Sequence, residues 1–268
     1  MTKPVRPPAH RLTSAPIGRV GAADRIIEDL RDRIARGEIP QGARLPSARD
    51  VAEQFGVSAP TASEAIRGLA AMGLVEIRHG SGSYVSADVS SMVTTALATA
   101  LQIEGVSVAE IIGLMALINE RAAGLAAARA EPADIELIAA AEDDIMNGAT
   151  GQVILAAVER FLVGVTRAAH EPILSLIGSF LARMLTRLEA DIFPADDEFW
   201  RGMTSRLHDE RQQIIRALRR GDGEAAQGAV RRYHELAVRR LEAEPVGREA
   251  RVSDPRFAQT VSQLIAQP

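Results

Sequence analysis

The sequence predicts a mainly α-helical protein with an N-terminal winged helix-turn-helix, of three helices plus a β-hairpin wing, followed by an all-helical antiparallel bundle. Its 268 residues exceed the roughly 100–200 residues of one typical domain. Aromatic residues are 3% of a chain that is 47% hydrophobic, so aliphatic side chains that favour helices dominate. One hairpin signature closes the first third of the chain, and only helical patterns follow it.

The first segments are an arm and a helix. Residues 1–18 contain four prolines and several basic residues, which predicts a flexible arm. A helical pattern begins at Ala22, and Gly37 provides its stop signal. Its apolar residues recur at helical spacing and are Ile26, Ile27, Leu30 and Ile34.

The second and third helices follow closely. Ser47 is a good N-cap, Asp50 stands where a capping box needs an acid, and Gly56 ends the second helix. Ser58 caps the third, with Pro60 tolerated in the first turn. One face of this third helix holds Ala62, Ala65, Ile66, Leu69 and Met72, so Thr61, Ser63 and Arg67 must project elsewhere.

A hairpin completes the module. "LVEIR" and "SYVS" are typical of short strands around a "HGSG" tip. In this order the third helix presents a polar end to a major groove, and the hairpin reaches an adjacent groove or the backbone. Arginines that can meet phosphates or base edges are Arg44, Arg49, Arg67 and Arg78. The alternative is a helical module that binds proteins through a solvated charged face.

The stretch "IARGEIPQGARLPSARDVAEQFGVSAPTASEAIRGLAAMGLVEIRHGSGSYV" resembles the DNA-binding domain of GntR-family bacterial transcription regulators, and we assign that domain to residues 19–86. The resemblance implies DNA contacts from the start of the second helix, the first turn of the third helix and the wing tip. These positions are Arg49, then Ser58, Thr61 and Ser63, then His79 and Gly80.

Two positions depart from the family pattern. Many relatives have DNA-contacting arginines where this chain has Ala59 and Ser63. A bidentate arginine contributes about 1–3 kcal/mol of base discrimination. We therefore expect an altered operator, weaker binding, or greater dependence on Arg67 and the N-terminal arm.

Residues 87–244 are predicted to be wholly helical. A linker helix in "SSMVTTALATALQIEG" precedes a helix that Ser107 and Glu110 open with a capping box and that runs to about Arg129. Another helix starts at Pro132 and ends at Gly148. Later helices are expected at 152–169, 172–192, 196–220 and 223–243. Residues 245–268 are expected to form a C-terminal tail, with a short helix from about Pro255 that carries Phe257, Val261 and Leu264 on one face. The alternatives for this tail are docking on its own domain, docking on a partner subunit, and disorder.

The helical part resembles the FCD domain of the FadR-type branch, most clearly in "ALRRGDGEAAQGAVRRYHELAVRRL". In many FCD relatives an Asp-x-x-x-His pair and two later histidines hold a divalent metal that grips a small carboxylate. Those four positions are Val158, Leu162, Arg211 and Tyr233 here, so the resemblance implies a degenerate metal site and no cofactor. A shift of one residue would make His234 a ligand, with His208 and His170 nearby.

The same positions predict an effector pocket. Met115, with Asn119 one turn later, stands where carboxylate-binding relatives carry an early arginine. With Val158 and Leu162 the lining is apolar, while Arg211, Asn119 and Tyr233 are candidate polar anchors. Such a pocket suits an acyl-CoA or another apolar acid whose head meets Arg211. The alternative is a filled core in which Arg211 pairs with an acid on a facing helix.

Composition excludes several functions. The absence of cysteine removes disulfides and thiol catalysis and fits a reducing cytoplasm. Neither a signal peptide nor an uninterrupted apolar run of about 18 residues is evident, so no membrane partner is expected. The acids of "EDD" and "ADDE" lack a nearby nucleophile or phosphate-binding loop, which argues against an enzyme.

The N-terminal part of the chain is basic and the remainder is acidic. Residues 1–86 hold 12 Lys/Arg against 9 Asp/Glu and so carry a net charge of +3, whereas the remaining residues carry −7, which gives the chain its total of −4. We expect a homodimer on a pseudo-palindromic operator in double-stranded DNA, with repression relieved by ligand as the default. The alternative is a helical partner-binding protein that has lost DNA binding or its ligand response.

Overall fold

The structure is a computed structural model that describes residues 21–78, 80–86, 90–193 and 196–257. Its contacts divide the chain into two units after residue 89, close to the boundary predicted at residue 86. The predicted arm, His79 at the wing tip, and Val261 and Leu264 of the tail lie outside the described residues.

The N-terminal unit is a winged helix-turn-helix. Its helices are α1 (Ala22–Ala35), α2 (Ala48–Phe55) and α3 (Ala59–Ala71), and its antiparallel strands are β1 (Val75–Arg78) and β2 (Gly82–Val85). The backbone of residues 43–45 adds to the wing, since Leu45 N donates to Ser83 O and Val85 N donates to Ala43 O, each over 2.8 Å.

Local capping explains where these helices begin and end. Ser47 and Asp50 form the predicted capping box, and the hydroxyl of Ser58 accepts a hydrogen bond from the Thr61 amide. Gly56 adopts the left-handed conformation with φ +65° at the end of α2. Apolar residues from all three helices and both strands form one core, which includes Ile26, Leu30, Leu45, Val51, Ala62, Ala65, Ile66, Leu69, Val75 and Val85.

One prediction for α3 was wrong. Met72 is 45% exposed, whereas the other four residues expected on that face are buried. The helix ends before Met72, which is its C-cap, and the chain turns at Gly73 with φ +74°. Met72 keeps the helical register, since its amide donates to Gly68 O over 3.0 Å, so its exposure shows that the core does not cover this face at the last turn of α3.

The described part of the second unit is built from helices joined by short connections, with an isolated antiparallel bridge between Ser107 and Arg251. Its longer helices are α4 (Ser90–Ile103), α5 (Val108–Arg129), α6 (Pro132–Asn147), α7 (Gly151–Arg167), α8 (Pro172–Ile192), α9 (Asp197–Ser205), α10 (His208–Arg219) and α11 (Gly223–Ala243). The main packing pairs are α5 with α11, α6 with α7, α7 with α8 and α10 with α11. Ser107 and Glu110 form the predicted capping box of α5.

The helix predicted at 196–220 is two helices. Leu207 has φ −102° and ψ +2°, which interrupts the helix between α9 and α10, and its side chain is buried in the core. Tertiary burial of Leu207 explains the break, because neither glycine nor proline occurs between α9 and α10.

By length and composition α5 could also span a membrane. Within the described part of the chain it packs instead as a core helix against α11, α8 and α7, with Ile111, Ile112 and Met115 buried. A buried core helix can have the same length and apolar composition as a membrane-spanning helix.

The described part of the tail packs on the helical unit. After α12 (Pro245–Glu249), Val252 N donates to Val106 O over 2.8 Å and Val108 N donates to Ala250 O over 3.0 Å. The predicted helix from Pro255 is a short 3₁₀ turn, Pro255–Phe257, whose Phe257 is completely buried. Ala250, Val252 and Phe257 of this segment thus belong to the helical core.

We expect Phe257→Ala to lower the free energy of unfolding of the helical unit by about 3–5 kcal/mol, because it leaves a cavity in that core. Urea unfolding followed by circular dichroism measures the change. Val246→Ala is the matched control, since Val246 is 47% exposed in the same segment. Equal stability of the Phe257 variant and wild type would show that the tail does not contribute to the core.

Candidate nucleic-acid surface and ligand cavity

The start of α3 presents small polar residues. Ser58, Ala59 and Pro60 are exposed, and Thr61 and Ser63 are half-buried. The Ser58 and Thr61 hydroxyl oxygens lie 2.8 Å apart. With no bulky side chain at 58–63, a flat ligand can approach the helix backbone closely.

Three of the four predicted arginines are free. Within the described residues, the guanidinium groups of Arg44, Arg49 and Arg67 have no hydrogen-bond or ion-pair partner, and all three residues are exposed. Arg78 differs, because it pairs with Glu76 at 2.9 Å and stacks on the Tyr84 ring at 4.7 Å. This hydrogen bond lowers the pKa of the Glu76 carboxyl. Arg78 is therefore the least available for a new partner.

A cleft of about 390 Å³ gathers part of this set between α3 and the wing. Arg44, Ser63 and Arg67 line it together with Ile77, which is 45% exposed. The sequence analysis missed Ile77. It lies two residues after buried Val75 on β1 and so shares the face of Val75, but its side chain is exposed beyond the core. The cleft is thus basic and has an apolar wall.

The wing is internally braced. The Tyr84 hydroxyl donates to Ser81 O over 3.2 Å and lies 3.0 Å from the Ser81 hydroxyl. Gly80 has φ +75°, and Gly82 has φ +115° with the Arg44 guanidinium close to where a Cβ would stand. A tip with this backbone requires glycine at both positions.

The second site is a cavity of about 40 Å³ in the helical unit, where four predicted positions meet. Val158 and Leu162 from α7, Arg211 from α10 and Tyr233 from α11 all line it. Met115 does not line the cavity and is buried in the core. Asn119 stands behind it, with Nδ2 3.5 Å from His234 Nε2.

Arg211 is completely buried and already paired. It binds both carboxylate oxygens of buried Glu142 on α6, and its Nη2 donates to Thr204 O over 3.0 Å. His208 Nδ1 also lies 2.6 Å from Glu142 Oε1. An acid on a facing helix therefore compensates this cation, as the filled-core alternative predicts. Arg211 Nη1 has no partner among the described residues.

Burial controls titration around the cavity. It raises the pKa of Tyr233 to about 12 and lowers the pKa of His234 to about 4. With this low pKa the His234 imidazole is neutral near pH 7, and its Nδ1 donates to Val230 O over 3.0 Å. Burial also raises the pKa of Glu189 to about 7, although Arg240 opposes this effect.

These groups do not suit a divalent metal. Val158 and Leu162 offer no ligand, Arg211 is a cation, and Tyr233 keeps its proton. The described residues contain no group of three or more His, Cys, Asp or Glu arranged to hold a metal ion.

Two protein-family models each match one part of the chain. "Bacterial regulatory proteins, gntR family" matches residues 22–85, and "FCD domain" matches residues 110–236.

Among the relatives is the uncharacterized HTH-type transcriptional regulator Rv0494 of Mycobacterium tuberculosis, 34% identical over 50% of this chain and 56% of that protein. The HTH-type transcriptional regulator LutR of Bacillus subtilis is 27% identical over 74% of this chain and 90% of its own length. The chain thus spans about half of the first relative and most of the second.

A solved structure, Streptococcus agalactiae GntR, has a TM-score of 0.60 at 21% identity, covering 81% of this chain and 99% of that one. This likeness supports the fold. The named relatives are transcription regulators, so the chain is similar to proteins of that class.

We expect Glu142→Gln to destabilise the helical unit by about 3–5 kcal/mol, because it leaves Arg211 buried and uncompensated. The double variant Glu142→Leu with Arg211→Met should regain most of this loss. Arg219→Met is the control, since Arg219 forms an exposed pair with Glu136 and should cost under about 1 kcal/mol. A double variant as unstable as Glu142→Gln would contradict this interpretation.

Proposed function

Because the chain carries a GntR-family DNA-binding domain followed by an FCD domain, we propose that it is a cytoplasmic, homodimeric transcription regulator. It binds a pseudo-palindromic operator in double-stranded DNA through the winged helix. A small metabolite in the helical domain modulates that binding. We further propose that it belongs to the FadR-like branch and works without a metal.

The observation that carries the DNA-binding proposal is the basic cleft between α3 and the wing. Arg44 and Arg67 face it without a protein partner in the described part of the chain, and Arg49 is free at the start of α2. Exposed arginines without ion-pair partners are suited to phosphate oxygens and guanine edges. With α3 in a major groove, the braced wing reaches the adjacent backbone.

Ala59 and Ser63 change how this surface reads DNA. Both are small, so the first turn of α3 contacts the duplex mainly through hydroxyl groups and backbone. Charge must then come from Arg44, Arg49 and Arg67, and base discrimination at the positions facing Ala59 and Ser63 is low. We expect an operator that differs from those of arginine-bearing relatives.

Effector binding would act through the geometry of the dimer. Two recognition helices must meet half-sites about one helical turn apart. A ligand that binds better to a dimer with misfitted spacing lowers operator affinity by its differential affinity and no more. Repression relieved by an apolar acid, such as an acyl-CoA, is the default proposal.

We expect Arg67→Ala to weaken binding of the protein to its own upstream DNA and, if Arg67 contacts a phosphate, to reduce the salt slope by about 1. Electrophoretic mobility shift at several salt concentrations measures both. Arg31→Ala on α1 is the control, because Arg31 pairs with Asp32. If wild type shows no specific shift at modest salt, the partner-binding alternative is favoured.

The reverse substitution tests the departures from the family. Ala59→Arg adds a cation to the exposed first turn of α3, so it should increase affinity for DNA and the steepness of the salt dependence. The same assay compares it with Ala71→Arg at the far end of α3, which should change neither as much. Equal effects of the two substitutions would mean that position 59 does not face the duplex.

A further inference from the structure

Two spaces in the helical domain share a wall. Next to the cavity of about 40 Å³ lies an open cleft of about 450 Å³, and Met203 and Arg240 line both. Arg240 Nη1 donates a hydrogen bond to Met203 O, which joins α11 to α9 across this wall. The cleft is also lined by Phe193, Phe199, Gly202, Arg206 and Ala243, with acids Asp196, Glu198 and Glu244.

Size separates what each space can hold. Pockets for drug-sized ligands measure about 300–1,000 Å³, so the cavity is far too small for a metabolite and the cleft is large enough. Forty cubic ångströms suits one small polar group. Apolar Phe193, Phe199 and Met203 in the cleft suit the body of a ligand.

Each cation in the cavity lining has an acid beside it, but one guanidinium nitrogen lacks a hydrogen-bond partner within the described part of the chain. Glu142 neutralises Arg211, but Arg211 Nη1 is buried without a partner among the described residues. Arg240 has Glu189 as the acid beside it in the cavity lining. The other titratable groups lining it are Tyr233 and His234, and Arg206 lies in the cleft. The residues of α5, α7 and α9 that line the cavity include no titratable group.

Resting on the proposed effector role, we propose that the cavity and cleft together bind a monocarboxylate with an apolar body, and that binding is coupled to protonation of Glu189. The carboxylate enters the cavity, where Arg211 Nη1 and Arg240 donate to it. The body remains in the cleft against Phe199 and Met203. Glu189 takes one proton from solvent, so the bound carboxylate does not face an ionised Glu189 side chain.

The direction of the pH dependence follows from Glu189. With a pKa of about 7, Glu189 is mostly protonated at pH 6 and mostly ionised at pH 8 in the free protein. At pH 8 the ligand must draw in a proton, whereas at pH 6 the proton is already present. Carboxylate affinity should therefore be about tenfold lower at pH 8 than at pH 6.

The test is isothermal titration calorimetry of the full chain with hexanoate and hexan-1-ol, in buffers of different ionisation enthalpy. We expect hexanoate to bind much more tightly than the alcohol. Proton uptake should approach one per ligand at pH 8 and be close to zero at pH 6. No hexanoate binding at pH 6, or equal binding of the alcohol, would overturn the proposal.

Variants separate this coupling from structural damage. Glu189→Gln should bind hexanoate equally at both pH values and about tenfold more tightly than wild type at pH 8, a gain that a damaged fold would not give. Glu235→Gln, an exposed acid on α11, should keep the wild-type dependence. A slope that persists in Glu189→Gln would assign the proton to another group and refute the coupling.

The head-group contact has its own test. Arg240→Gln should reduce hexanoate affinity at pH 6 at least tenfold, while the exposed neighbour variant Arg239→Gln should not. Unchanged affinity in Arg240→Gln would place the carboxylate elsewhere. None of these titrations contains DNA, so their failure would leave the operator-binding proposal intact.

Discussion

The helical domain depends on compensating one buried charge. Arg211 is completely buried on α10, and a guanidinium in such a position is strongly destabilising unless an acid and hydrogen-bond acceptors meet it. Glu142 on α6 and the Thr204 carbonyl satisfy this requirement. The pair ties helices that are distant in sequence, and it puts a fixed cation in the lining of the cavity. Arg211 therefore shapes both the packing and the chemistry of the cavity.

Arginines have opposite roles in the two domains. In the helical domain, Arg211 and Arg240 are held by protein acceptors and lose much of their contact with water. In the winged helix, Arg44 and Arg67 remain exposed without protein partners in the described residues. A charge left in water is inexpensive to keep and ready to exchange its hydration for a phosphate. Burial and pairing together separate structural arginines from candidate DNA-binding ones.

Local signals were predictable from the sequence, and tertiary ones were not. The caps at Ser47, Ser58 and Ser107 lie within three residues of the amides they serve, so the sequence contains the whole interaction. The break at Leu207 arises from burial against other helices. The residues next to Leu207 contain no signal that predicts this break.

The cavity shows the same limit. The family resemblance grouped Val158, Leu162, Arg211 and Tyr233, and these four residues line one cavity, while their role toward a ligand stays a prediction. It did not reveal Glu142, which precedes Arg211 by 69 residues within an ordinary acidic run. Glu189 and Arg240 were missed for the same reason, and the volume of about 40 Å³ depends on side-chain packing that sequence spacing does not encode.

The small size of the cavity has an energetic consequence for any effector. A ligand that must displace the Arg240 to Met203 hydrogen bond before its head group enters binds only the fraction of molecules in which that wall is open. Its apparent affinity falls by the same fraction. Contacts of an apolar body with the cleft can offset this loss, because they are made without opening the wall. Selectivity for the anionic group and strength of binding would then arise in different places, the first in the cavity and the second in the cleft.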